Sequence, residues 1–100
     1  MSESQDTTRR AALVTGSSRG IGLAVAEQLA AAGFNVALNC SSEAGLPVLR
    51  EQASRIAGEH GVQVESIAAG VADEAEANAL VEQAHEAFGR LDAVVNNAGI

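Results

Sequence analysis

The sequence predicts an α/β domain, a parallel sheet with helices packed on both of its faces. Three observations carry this expectation. Short apolar runs alternate with helical apolar patterns along the chain, the order expected of strands and helices in turn. Gly or polar residues separate each pattern from the next, as turns do. Each apolar run also closes on a polar or Gly-rich stretch, at 16–22, 39–42, 70–73 and 96–99. Right-handed crossovers make such strands parallel, so the four stretches share one edge of the sheet.

In chain order, residues 1–10 (MSESQDTTRR) form a polar tail and the domain occupies 11–100. Residues 11–15 (AALVT) are an unbroken apolar run closed by Thr15, suited to a central strand covered on both faces. From Gly20 a helical stripe runs through Ile21, Ala24, Val25, Leu29 and Ala32, with Gly33 where a C-terminal glycine belongs. Asn35 to Asn39 is the second strand, followed by a polar turn over 40–45. The second helix covers about Leu46 to Glu59 with Leu46, Leu49, Ala53, Ile56 and Ala57 facing inward. Pro47 is tolerated in its first turn, where an N–H would lack a partner anyway. Residues 62–68 (VQVESIA) begin with alternation and read as the third strand. Asp73 with Glu76 three places on fits an N-cap and capping box. The helix it opens carries Ala77, Leu80, Val81, Ala84 and Phe88 on one stripe and closes at Gly89. Residues 91–95 (LDAVV) are the fourth strand, before Asn96-Asn-Ala-Gly-Ile100.

Composition excludes several functions. The net charge is −7 and the basic residues are six arginines, at 9, 10, 19, 50, 55 and 90, whereas a nucleic-acid binder needs a basic face. No segment is long and apolar enough for a membrane helix, and the tail lacks the apolar core of a signal peptide, so no membrane partner and a cytoplasmic location are expected. The single cysteine, Cys40, supports no intramolecular disulfide and reads as a small buried residue at a strand end. His60 and His85 stand apart from any Cys, Asp or Glu cluster at ligand spacing, so no metal site is expected. Glu74, Glu82, Glu86 and Arg90 read as solvated helix faces.

The stretch with the most specific chemistry is Thr15-Gly-Ser-Ser-Arg-Gly-Ile-Gly22, between the first strand and the first helix. Gly16, Gly20 and Gly22 let the backbone turn sharply, let a pyrophosphate approach main-chain N–H groups, and let the helix pack closely. The helix directs its unpaired N–H groups and positive dipole end at the anion. The spacing is G-x-x-x-G-x-G, with Gly16 and Ser18 where the commoner dinucleotide fingerprint has two glycines. A nucleoside-triphosphate P-loop is excluded, because Gly-Lys-Ser/Thr is missing and the chain has no lysine. In the Rossmann-like, doubly wound version of this architecture the strand order is 3-2-1-4, with a crevice between strands 1 and 4.

TGSSRGIG (15–22) together with NNAG (96–99) resembles the short-chain dehydrogenase/reductase family, over nearly all of residues 10–100. The run ALVTGSSRGIG with a Ser-Ser-Glu turn after the second strand looks most like the 3-oxoacyl-acyl-carrier-protein reductase branch. The resemblance implies that Gly16, Ser17, Ser18, Arg19, Gly20, Ile21 and Gly22 hold the phosphates and adjoining ribose of a nicotinamide cofactor. It implies further that Val71 lies near the adenine, that Asn97, Ala98 and Gly99 line the cofactor from the fourth strand, and that Asn96 braces the sheet. Many family members have an Asp before that Val, bonding the adenine; here it is Gly70.

Charge argues for NADP(H) over NAD(H). An NAD-selecting second strand ends in an acidic residue about 20 positions after the Gly-rich turn, but here the end reads Asn39-Cys-Ser-Ser42, with no carboxylate until Glu43. Arg19 within the turn supplies a guanidinium for the 2′-phosphate, and Ser41 a neutral hydrogen bond.

Family chemistry is hydride transfer between nicotinamide and a carbonyl or alcohol substrate, with a Tyr-x-x-x-Lys pair as tuned general acid. This chain has no Tyr and no Lys, so it is expected to carry no catalytic residue. It reads as the N-terminal, cofactor-binding part of a longer reductase, an incomplete fold with an exposed edge at the fourth strand. The longer protein is expected to be a homo-oligomer, a tetramer as is usual in the family. The alternative is a short non-catalytic nucleotide sensor or interaction module.

Overall fold

The computed structural model describes residues 7–97. Four strands, β1 (Ala11–Val14), β2 (Asn35–Cys40), β3 (Val64–Ala68) and β4 (Ala93–Val95), alternate with three helices, α1 (Gly20–Ala31), α2 (Leu46–His60) and α3 (Glu74–Phe88). A 3-10 turn, Glu43–Gly45, precedes α2. All strand pairs are parallel and the order is β3-β2-β1-β4, which is the doubly wound order the sequence predicts.

Side-chain alternation along the strands divides the core in two. Val14, Val36, Leu38 and Cys40 face α1 and α2, meeting Ala26, Ala30, Leu49, Ala53 and Ile56. Ala11, Leu13, Ala37 and Ile67 point the other way, onto Leu80, Ala84 and Phe88 of α3. Every residue of β1 and β2 is buried, as strands covered on both faces require. β3 and β4 are the edges, and Val94 of β4 is 48% exposed.

Helix ends follow local chemistry. Asp73 accepts from Glu76 N–H at 2.8 Å while the Glu76 carboxylate accepts from Ala72 N–H at 3.1 Å, a reciprocal cap at the start of α3. α2 and α3 both end on a left-handed glycine, Gly61 and Gly89.

The inward face of α1 differs from the sequence expectation. Gly22, Ala26 and Ala30 are its buried residues, whereas Ile21 is 77% exposed and Ala24 and Ala32 are also exposed. The smallest side chains, one turn apart, face the sheet and let the helix approach it closely; of the expected stripe, Val25 and Leu29 still pack against the core from the side, half-buried.

Ion pairs fasten the periphery. Arg55 of α2 makes a two-pronged pair with Glu27 of α1, at 2.9 and 3.1 Å. Arg90 donates to Asp92 at 2.6 and 2.9 Å and to Thr7 O at 2.9 Å, and Asp92 also accepts from Ala11 N–H at 2.8 Å. The Arg90 hydrogen bonds and then the Ala11 amide hold the Asp92 carboxyl below its usual value of 3.8. A carboxyl depressed in the folded state contributes stability above its unfolded pKa and loses it as pH falls through the folded one. The difference in thermal midpoint between the chain and Asp92→Asn is therefore expected to hold steady at near-neutral pH and to close below about 3.8. A midpoint difference independent of acidification would contradict it.

Candidate functional site

The stretch Thr15–Gly22 leaves β1, the strand flanked by β2 and β4, and enters α1. Gly16 and Gly20 have φ of 60° and 64°, a region that side chains disfavour. The turn is tied on both sides. Toward β2, Gly16 N–H donates to Asn39 Oδ1 at 3.0 Å and Ser17 N–H to Asn39 O at 2.9 Å. The Ser17 hydroxyl donates to Val14 O and accepts from Asn39 N–H, both at 2.8 Å. Toward β4, Thr15 N–H donates to Val95 O at 3.0 Å, Asn97 N–H donates to Thr15 Oγ1 at 2.9 Å, and Asn97 Nδ2 donates to Gly16 O at 3.0 Å.

Gly22 completes the cradle from the helix side. A Cβ there would lie 2.5 Å from Gly16 O, 2.7 Å from Asn97 Nδ2 and 3.1 Å from Ser17 Cα. Unlike α3, α1 opens with no side-chain cap and no acidic residue in its first turn. Among the described residues no hydrogen bond takes up the N–H groups of Ser18 through Gly22. A helix start with free donors and no negative charge accepts an anion.

The structure gathers most of the expected site residues on this edge. Ser18 is half-buried in the turn and Arg19 is exposed at the N-cap of α1. Ile21 projects outward, and Ser41 lies exposed just past β2. Val71, half-buried, lines a small cleft with Thr15, Leu80, Val94 and Asn96 beside α3. Ala98 and Gly99 lie outside the described residues.

Ser17 departs from expectation. It is fully buried, and both its hydroxyl and its N–H are consumed within the protein, so it braces the turn and offers a ligand no donor. Asn96, although exposed, accepts from the Thr15 hydroxyl at 3.4 Å and so braces the end of β1 as expected, and Asn97 shares that role through its bonds to Thr15 Oγ1 and Gly16 O. Asn39 is the residue that sequence reasoning missed, and its one signal is a polar side chain closing an otherwise apolar strand. Another departure concerns Gly70, where a Cβ would lie 3.0–3.2 Å from the Glu76 carboxylate. The space of the missing side chain is thus filled by the α3 cap. Finally, Glu27, Glu59 and His60 come together across α1 and α2, although sequence spacing shows no such cluster. Arg55 occupies both oxygens of Glu27 and one of Glu59, which makes the group an ion-pair network.

Fold and turn together define a dinucleotide-binding α/β protein. Comparison with known proteins makes this more specific: the family model for short chain dehydrogenases matches residues 10–100, and the chain belongs to that family. It is 44% identical over 94 residues to a 3-oxoacyl-acyl-carrier-protein reductase of Staphylococcus aureus, covering 91% of this chain and 36% of that protein. It is 39% identical over 95 residues to glucose 1-dehydrogenase 2 of Bacillus subtilis, covering 95% and 36%. Among solved structures, L-sorbose reductase from Gluconobacter frateurii, complexed with NADPH and L-sorbose, superposes with a TM-score of 0.80 at 38% identity, covering 92% of this chain and 34% of that one. A blue fluorescent protein from a metagenomic library, in complex with NADPH, gives 0.82 at 36% identity, covering 95% and 38%. The chain thus spans little more than a third of the length of these relatives.

Proposed function

We propose that this chain is the cofactor-binding part of an NADP(H)-dependent oxidoreductase that transfers hydride between nicotinamide and a carbonyl or alcohol substrate. The observation that carries the reading is the turn itself, held from β2 and β4, closed by Gly22 and presenting the free N–H groups of Ser18–Gly22 at the start of α1. Its donors fit a pyrophosphate, and the cofactor, when bound, supplies the hydride. Asn97, Ala98 and Gly99 belong to the cofactor's path along β4, and Val71 to its adenine end. Because this chain has neither Tyr nor Lys, the general acid and the substrate pocket belong to a longer protein; the family resemblance favours a cytoplasmic homo-oligomer. A 3-oxoacyl thioester is the substrate class favoured by the 44% identical relative.

Preference for the 2′-phosphorylated cofactor rests on Arg19 and on the end of β2. The guanidinium is exposed within the turn, Ser41 is exposed beyond β2, and no carboxylate precedes Glu43 to repel a phosphate. A charge-assisted pair of this kind contributes about 1.5–3 kcal/mol. Arg19→Ala is therefore expected to raise the NADPH dissociation constant about ten- to a hundredfold while leaving that of NADH nearly unchanged. Titration following the reduced cofactor's own fluorescence measures both, and an unchanged NADPH constant would overturn the preference.

A further inference from the structure

We propose that Asn39 is a positioning residue for the phosphate-binding turn and determines which of its amides reach the anion; this rests on the cofactor reading above. Asn39 is 2% exposed, and every polar atom it has is engaged. Its Oδ1 accepts from Gly16 N–H at 3.0 Å. Its Nδ2 donates to Cys40 O and Ile67 O at 3.1 Å and to Ala69 O at 3.2 Å. Its main chain exchanges two further bonds with Ser17, at 2.8 and 2.9 Å. One side chain thereby joins the ends of β2 and β3 to the first residues of the turn.

The carboxamide is the side chain that fits this position. Two N–H protons face three carbonyl oxygens while one oxygen faces an N–H. A carboxylate would set negative charge against those carbonyls, a hydroxyl has a single proton, and an aliphatic side chain would remove all four bonds, the one to Gly16 N–H among them.

The consequence for binding lies in the order of the amides. Asn39 consumes the N–H groups of Gly16, through Oδ1, and of Ser17, through its own carbonyl. The donors left for an anion begin at Ser18 and run to Gly22, so the ligand is received along the axis of α1. Gly16 sits at φ 60°, where a glycine does not hold itself, and the bond to Oδ1 fixes that geometry.

The test compares Asn39→Ser with Ile56→Val, a core truncation on α2, in the full chain. NADPH affinity is read by fluorescence and the folded fraction by circular dichroism. Asn39→Ser is expected to weaken NADPH binding by folded molecules about tenfold and to speed exchange of the Gly16 amide relative to that of Leu38. Ile56→Val is expected to change neither. Equal affinity of the folded Asn39→Ser protein, or a Gly16 amide still as protected as in the unaltered chain, would overturn the proposal. Should Asn39→Ser not fold, Asn39→Thr, whose branched side chain suits a strand, carries the same comparison. Failure of the unaltered chain to bind NADPH would overturn the cofactor reading, and this inference with it.

Discussion

Phe88→Ala is expected to lower the free energy of unfolding by about 3–5 kcal/mol, the range for removing a fully buried aromatic side chain. Phe88 is 0% exposed at the end of α3 and packs in a cluster with Ala11, Leu13, Ala37, Ile67, Leu80 and Ala84. Three of those neighbours are alanines, and Ala11 and Ala37 sit on central strands held by hydrogen bonds on both sides. Neither small side chains nor a tied backbone collapses into the vacated volume, so the cost belongs at the upper end. A domain of this size has about 5–15 kcal/mol in all. With a urea slope of about 1–3 kcal/mol per molar, the midpoint is expected to fall by about 2 M. A shift under about 0.5 M would show that α3 contributes far less to the core than its burial implies.

Gly22→Ala is expected to be the most damaging change in the turn. The added methyl meets a main-chain oxygen at 2.5 Å and the Asn97 amide at 2.7 Å, and neither is the free end of a flexible chain. Asn97 Nδ2 is bound to that same Gly16 oxygen, so relieving one contact disturbs the other. Overpacking of this kind costs about 1–3 kcal/mol, and the lost Asn97 bond adds about 1 kcal/mol. NADPH affinity is expected to fall more than tenfold, since α1 must move away from the turn whose donors it aligns. Thermal unfolding and NADPH titration check the two effects separately, and retention of both would contradict the close approach of α1.

The architecture was legible because its signals are local. Apolar runs at Ala11–Val14 and Val36–Leu38, the Asp73–Glu76 cap and the terminal glycines Gly61 and Gly89 each act within a few residues of themselves. What sequence misses depends on contacts across the sheet. The face that α1 turns inward is chosen by Gly22 fitting beneath Gly16, although Ile21 is the more hydrophobic residue. Ser17 and Ser18 are adjacent and chemically identical, and only the path of the backbone decides that one is a strut and the other stands in the turn. Asn96 and Asn97 both tie the end of β4 to the start of the turn, Asn96 at Thr15 and Asn97 at Thr15 and Gly16, which their spacing alone does not show. Asn39 looked like part of a ligand-facing strand end because nothing in its neighbours reveals the three carbonyls around it. In the network of Glu27, Arg55 and Glu59, the Arg55–Glu59 pair has i,i+4 spacing within α2, but the Arg55–Glu27 pair spans two helices, beyond the reach of any spacing rule.

The bonds from Asn97 to Thr15 Oγ1 and Gly16 O make the turn and the end of β4 a single mechanical unit. Linkage then runs in both directions. Whatever free energy a phosphate on the turn contributes to the pairing of β1 with β4, any element that anchors β4 returns to the affinity for phosphate by the same factor. On the proposed reading, the edge strand β4 is thereby an energetic extension of the anion site.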